Sequence, residues 1–572
     1  MDALCPSSNL MPDEIFPYEL IFRALLMIPI SHYLLGCGIL IGVVLYNFLE
    51  WHLIEDILTG FRGQPVKLTF NSESKIYEGV VSKCRILHGR YLATPWLASP
   101  HIQTTFLNFF GNPPHFSYRR QMFHTSDGGT IALDWLMSSD VKGHAAYVEN
   151  TIVKDDRTPI VLVVPGLTSD SNSPYLKHLV YNTAKRGWNV VVGNHRGLGG
   201  VSVTSDCFYN AGWTEDVRAV VRYLHGEYPD APLFVVGTSI GANVLVKYLG
   251  EEGENIPVAG AVAICSPWDL LIGDRFIGRR LIQKLYDRAL TIGLQGYAQL
   301  HQPRYSRLAN WEGIKKSRSI RDFDNHATCL VGKYETVDTY YRQSSSTTYV
   351  GKVAVPLLCI SALDDPVCTR EAIPWDECRL NRNIVLATTK HGGHLAFFEG
   401  ITASSLWWVR AANEFLGILH LSAYMHKQKI SSIPPVSEPS IDQGPYVNVA
   451  EDGMIAAVSS EPKAEDVAED SSELHKQIAE MAEDSKEQLE ESVPTHVPSI
   501  PEQASSTCNA ACQSATSLIK QRLDQLSRYS RRSMWLLAYV AILTSWPLVG
   551  SAVYFLFKRK IKSVSPSTLQ KR

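Results

Sequence analysis

The stretch LFVVGTSIGANVLVKYL, Leu233 to Leu249, narrows the choice of folds more than any other part of the chain. An apolar run stops at Gly237-Thr238-Ser239-Ile240-Gly241, and a helix-like pattern follows at once. G-x-S-x-G forces a tight strand-to-helix turn that lifts the serine above a sheet, and its glycines remove side chains that would clash there. A serine hydroxyl is a poor nucleophile until a base takes its proton. The new helix also directs backbone N–H groups toward a developing oxyanion. Ser239 is therefore the candidate nucleophile.

Short apolar runs bounded by turn signals recur along the chain. They are IVLVV (160–164), WNVVV (188–192), LFVV (233–236), AGAVAIC (259–265), VPLLCISA (355–362) and NIVLAT (383–388). Helix-length segments such as SPYLKHLVYNTAKRG and WTEDVRAVVRYLHGEYP separate the early ones. Strand alternating with helix predicts an α/β fold, a mostly parallel sheet covered on both faces. RRQMFHTSDGGTIALDWL (119–136) reads as two strands around an Asp127-Gly128-Gly129 turn. The expected core runs over 119–265 and 353–425, after an N-terminal extension over 50–118. Between its two parts, 266–352 carries helical patterns such as RFIGRRLIQKLYDRALTIGL. An insertion of this kind reads as a cap over the sheet edge where open α/β sheets bind ligands.

A base and its orienter should follow the serine in the order Ser, Asp, His. CISALDDPVC (359–368) sets Asp364 and Asp365 just after a buried strand. An acid there holds an imidazole in the right tautomer and stabilises its cation. Asp365, directly before the Pro-Val turn, is preferred, with Asp364 as its rival. TKHGGHLAFFEG (389–400) follows the last strand, and His394 sits after Gly392-Gly393 in a loop able to bend over the sheet edge. His391 competes with it. In VLVVPGLTSDSNSPY, Pro165-Gly166 ends a strand and Leu167 can offer its backbone N–H to the oxyanion, with Ile240 offering the other. GNHRGLGG (193–200) contains neither GxGxxG nor G-x4-GK-[ST], so it reads as a structural loop near the site. No carboxylate or thiolate set completes a metal site around the two histidines. Neither metal nor cofactor is expected.

The chain has 572 residues and a net charge of -3, which argues against the basic face of a nucleic-acid binder. Its 11 cysteines are odd in number and scattered, and no asparagine begins an N-X-S/T sequon. Both features point to a reducing, cytosol-facing main domain. After a tail over 1–23, residues 24–49 hold no Asp, Glu, Lys or Arg and can cross a hydrocarbon core of roughly 30 Å. Their length and their mostly acidic flank favour an uncleaved membrane anchor over a signal peptide. Residues 533–557 form a second uncharged segment, with Trp535 and Tyr554 near its ends and basic residues on both sides, including the tail 558–572. The intervening 426–532, rich in Glu, Asp, Ser and Pro over 431–515, reads as a disordered acidic linker whose protein partners are unknown. If both segments span a bilayer, everything between them lies on one face.

Further motifs carry a family likeness: SPHIQTTF (99–106), VVPGLTSDSNSPYLKHLV (163–180), NHRGLGGV (194–201) and VVGTSIGANVLVKYLGEEGE (235–254). SIRDFDNHATCLVGKYETVDTYYRQSSS (319–346), ALDDPVC and HGGHLAFFEG continue the series. In these motifs the chain resembles the membrane-anchored abhydrolase-domain lipases and yeast medium-chain ethyl ester synthase/esterases, and in particular the plant embryogenesis-associated-protein-like hydrolases. The resemblance runs from residue 90 to 425 and implies an α/β-hydrolase fold with Ser239, Asp365 and His394 as its triad. It also implies lipid or acyl-ester substrates: acylglycerols, phospholipids or small acyl esters. Some relatives pass the acyl group to an alcohol. The acidic linker and second anchor stand outside the family pattern. The expected function is thus a membrane-anchored serine ester hydrolase. The alternatives are an acyltransferase using the same acyl-enzyme and a non-catalytic membrane scaffold.

Overall fold

A computed structural model describes residues 25–141, 156–428, 447–449 and 455–457. Among them, nine strands build one sheet: β1 (Lys67–Phe70), β2 (Arg119–His124), β3 (Thr130–Leu136), β4 (Ile160–Val164), β5 (Asn189–Gly193), β6 (Leu233–Thr238), β7 (Gly260–Ile264), β8 (Leu357–Ala362) and β9 (Ile384–Thr389). The order across it is β1-β9-β8-β7-β6-β4-β5-β3-β2. The stretch from β9 to β5 is parallel throughout. β1, β3 and β2 join antiparallel at the two ends. This is the mostly parallel α/β sheet that the strand–helix alternation predicts.

The helices that matter below are α1 (Ile30–Phe48), α2 (Leu53–Leu58), α3 (Pro100–Phe110), α4 (Pro174–Lys185), α5 (Glu215–Glu227), α6 (Ile240–Glu252), α7 (Leu270–Ile277), α8 (Leu281–Leu300), α9 (Val337–Ser344) and α10 (Trp407–His420). Side chains alternate along each strand, so one sequence fills two cores. Val161, Val163, Val236 and Ile360 pack with Leu176 and Leu179 of α4 and Phe415 of α10. Leu162, Val164, Val235 and Cys359 pack with Val221 and Leu224 of α5 and Leu245 of α6. Burying an aliphatic side chain of this size stabilises by about 1.5–3 kcal/mol, and near-continuous apolar strands can satisfy both layers.

The extension expected before the core is part of it. β1 lies within 50–118 and pairs with β9, matching Val385 to Phe70 and Thr388 to Lys67. A four-residue edge strand with only one paired side carries too little periodicity to stand out in the sequence. The stretch 266–352 holds α7, α8 and α9 and no strand. Within the expected linker, Val447–Val449 and Ile455–Ala457 pair antiparallel. They lie in a unit separate from the one that holds the sheet. The tail 1–23, the rest of the linker, the apolar segment 533–557 and the basic tail 558–572 lie outside the described residues. α1 is 19 residues long, none of them buried, and is long and apolar enough to cross a membrane.

The passage from β6 into α6 is packed backbone against backbone. A Cβ on Gly237 would stand 2.5 Å from the carbonyl oxygen of Gly241. A Cβ on Gly241 would run into the carbonyl oxygens of Val164 and Pro165. Both obstacles are backbone, so relief requires separating α6 from β4. Gly241→Ala is expected to cost roughly 1–3 kcal/mol of stability, the usual range for overpacking. Urea unfolding should show the loss, and Gly351→Ala, where nothing lies within 4 Å of the added carbon, should not.

Candidate active site

Ser239 closes the turn with φ 52° and ψ -122°, a left-handed backbone that a serine rarely adopts. Its N–H donates to Ile264 O at 2.8 Å, and its carbonyl accepts the N–H of Ala242 at 3.0 Å. Ser239 Oγ donates to His394 Nε2 at 3.0 Å. His394 Nδ1 donates to Asp365, 2.9 Å from Oδ2 and 3.1 Å from Oδ1. The carboxylate only accepts, so it fixes the imidazole proton on Nδ1 and leaves Nε2 free to take one. Asp365 is buried. The backbone N–H groups of Val367 and Cys368 each donate to its Oδ1 at 2.8 Å.

The two rivals form a pair of their own. His391 Nδ1 lies 3.2 Å from Asp364 Oδ2, and Gly393 N–H donates to Asp364 Oδ1 at 3.0 Å. Neither is hydrogen-bonded to Ser239. Instead they secure the loop that carries His394. Thr104 on α3 secures it from the other side, its Oγ1 accepting the His394 N–H at 2.9 Å. Gly393, at φ 62°, must lack a side chain here: a Cβ would stand 2.8 Å from both Pro100 O and Thr104 Oγ1.

Leu167 and Ile240 border the same cavity as Ser239 and His394. The loop holding Leu167 is tied down around it. Gly166 N–H donates to Tyr175 OH at 3.0 Å, and Thr168 N–H donates to Tyr209 OH at 3.1 Å. His195 Nε2–H donates to Pro165 O at 2.9 Å while its ring stacks on Tyr209, centroids 4.4 Å apart. Burial lowers the pKa of His195 and keeps it neutral. The GNHRGLGG loop thus has its place beside the site. Arg196 from it is buried against Asp127 and Asp216. Asn194 Nδ2 donates to Asp134 Oδ2 at 2.8 Å.

The cavity holds about 500 Å³. Leu107, Ile277, Leu290, Leu294 and Phe323 give it an apolar wall. Among the described residues, two groups of metal-capable side chains have ligand atoms within 4.8 Å of one another: His52 with Asp364 and His391, and Cys265 with Asp365 and His394. The rings of His52 and His391 stack with centroids 3.7 Å apart and planes 14° from parallel. Their in-plane lone pairs run side by side instead of converging. In the second group burial drives the Cys265 thiol well above its usual pKa, so it stays protonated.

Residues 159–401 match the profile of the α/β hydrolase fold family. The chain is 34% identical over 375 residues to embryogenesis-associated protein EMB8 of Picea glauca, covering 64% of this chain and 79% of that protein. The chain belongs to the α/β-hydrolase family. It is 33% identical to phospholipase ABHD3 of Mus musculus, over 56% of this chain and 75% of that one. With the monoacylglycerol lipase of Saccharomyces cerevisiae it shares 26% identity, over 66% of this chain and 92% of the lipase.

The sequence did not single out Thr104, Tyr175 or Asp324. Thr104 and Asp324 sit inside quoted motifs, SPHIQTTF and SIRDFDNHAT, but nothing local announces their contacts. Asp324 begins a π-helical turn, Asp324–Thr328, and borders the cavity. Thr328 Oγ1 and Tyr341 OH donate to its carboxylate at 2.6 and 2.8 Å. The neighbouring Arg321 is bound to Asp274 and Asp338. Burial raises Asp324 to a pKa of about 6. The folded chain therefore holds this proton more tightly than the unfolded chain does. The resulting stability is complete below about pH 4 and disappears as pH rises through about 6. Asp324→Asn removes that dependence. Relative to wild type, the variant should gain on the order of 2–3 kcal/mol between pH 4.5 and 7, measured by urea unfolding across that range.

Proposed function

We propose that this chain is a membrane-tethered serine hydrolase that cleaves carboxylic esters of lipids through an acyl-enzyme. The observation that carries the reading is the hydrogen-bonded row Ser239–His394–Asp365 at the wall of an apolar cavity. In this mechanism His394 Nε2 takes the Ser239 proton as Oγ attacks the ester carbonyl. The imidazolium that forms faces Asp365, whose charge is steadied by two backbone N–H groups. The Leu167 and Ile240 N–H groups receive the oxyanion, each contributing about 3–4 kcal/mol to the barrier reduction. His394 then protonates the leaving alcohol and activates the water that releases the acid.

The apolar cavity wall supports an acyl-chain substrate. So do the names of two relatives, a phospholipase and a monoacylglycerol lipase. At a rise of about 1.5 Å per residue, α1 is close to the roughly 30 Å hydrocarbon thickness of a bilayer, and it serves as the anchor. The second apolar segment, 533–557, is read as another anchor from its sequence alone, with the hydrolase domain toward the cytosol.

A fluorophosphonate probe should label the full-length protein in membranes, and Ser239→Ala should abolish the labelling. Asp365→Asn should lower kcat for ester hydrolysis by about 10³–10⁴-fold, because the imidazole loses its tautomer. Asp364→Asn should have a much smaller effect. Equal losses from the two Asp variants would overturn the assignment of Asp365. If added alcohol diverts most of the acyl group into a new ester, the enzyme is an acyltransferase using the same acyl-enzyme.

A further inference from the structure

A helix on a water-facing surface normally buries its apolar stripe and exposes charge of both signs. α8 does not. Its exposed positions are Leu281, Lys284, Leu285, Arg288, Ala289, Ile292, Gly296, Gln299 and Leu300. No acid is among them. Leu281 is 68% exposed, Leu285 59%, Ile292 54% and Leu300 73%. On the opposite face of the same helix Leu290, Leu294 and Tyr297 line the cavity. One helix, about 10 Å thick, therefore separates the cavity from an exposed apolar surface.

The cavity reaches the outside beside this surface. Two exposed residues border it, Ala289 on α8 and Asn108 on α3. Directly after Asn108, Phe109 and Phe110 project from the end of α3, 76% and 66% exposed. Tyr286 OH and His101 Nδ1, 3.2 Å apart, join the two helices. Apolar side chains thus flank the cavity rim on both sides.

The end of α1 is fastened to the starts of the same two helices. Leu49 O accepts Ser99 Oγ–H at 2.5 Å, at the start of α3. Arg280, just before α8, pairs with Glu50 at 3.2 Å. Where the apolar α1 ends, the exposed faces of α3 and α8 begin. Ile54, Ile57 and Leu58 on α2 are exposed as well.

We infer that the outward face of α8, with Phe109 and Phe110, is a docking surface for a phospholipid bilayer and seats the cavity rim on the leaflet that α1 enters. The proposal rests on the reading of α1 as an anchor. Leu281, Leu285, Ile292 and the two phenylalanines enter the acyl region, while Lys284 and Arg288 reach the lipid phosphates. A lipid ester then passes from leaflet to cavity without its acyl chain crossing water.

Full-length protein in phosphatidylcholine/phosphatidylserine vesicles provides the test. Benzoylphenylalanine at position 285 or 292 should crosslink to lipid under illumination. At position 380, on the exposed Leu380 that lies before β9 and outside the cap, it should not. Absent or equal crosslinking at all three positions overturns the proposal. Alkaline carbonate extraction reports separately whether α1 is anchored, and fluorophosphonate labelling reports whether Ser239 is activated. Failure of either reading is thus told apart from failure of docking. In active protein, Leu285→Glu with Ile292→Glu should reduce hydrolysis of a vesicle-borne phospholipid at least tenfold. Hydrolysis of a water-soluble short-chain ester should stay within twofold, and Leu380→Glu should change neither. Parallel losses on both substrates would make the two residues part of the cap's own packing and overturn the proposal.

Discussion

The contact that everything else in this protein depends on is backbone against backbone, where α6 leaves β6 and passes over β4. Gly237 and Gly241 bring the carbonyls of neighbouring elements closer than any side chain allows. That closeness holds Ser239 in a conformation costing on the order of 1–3 kcal/mol, which a looser turn would release. The strain has a geometric product. It turns Oγ toward His394 and leaves the Ile240 N–H at the first turn of α6. The parallel register of β4, β6 and β7 is therefore part of the site, because Val164 is paired with Gly237 and Thr238 with Ile264.

A second constraint acts on the histidine. His394 sits on a loop, and a loop alone cannot hold an imidazole to within a fraction of an ångström. The brace comes from the N-terminal region. Thr104 takes the His394 N–H, Gln103 Oε1 takes the Phe398 N–H at 3.2 Å, and Tyr91 OH donates to Phe398 O at 3.0 Å. The same region continues to α1 through Ser99 and through the His52 N–H, which donates to Ala98 O at 2.8 Å. α1 and the histidine loop are thus mechanically contiguous, although nearly 350 residues separate them in the chain.

What could be read from the sequence follows from the range of each interaction. β4 to β9 announce themselves because burial on both faces demands unbroken Val, Ile, Leu and Ala. The order Ser, Asp, His was legible because each residue follows its own strand. Contacts made across the sheet edge were not. β1 is four residues long and owes its place to β9. Asp324 lies in a π-helical turn that no apolar period marks. Asp364 and Asp365 are adjacent and equally suited to a turn, so sequence alone ranked them only by the Pro-Val that follows.

The structure separates those two acids by what else they accept. Asp365 takes two N–H groups from its own turn, which hold its carboxylate still. Asp364 takes the Gly393 N–H and the His391 ring, so its bonds act on the path of the loop. Adjacent residues of a chain leaving a strand point in different directions, and two carboxylates in sequence therefore serve two histidines three residues apart. On the proposed mechanism one pair moves a proton and the other keeps the first in place. A single Asp–His pair on the same glycine-rich loop would have to do both, and the flexibility of Gly392-Gly393 that lets the loop bend over the sheet edge would then be unopposed.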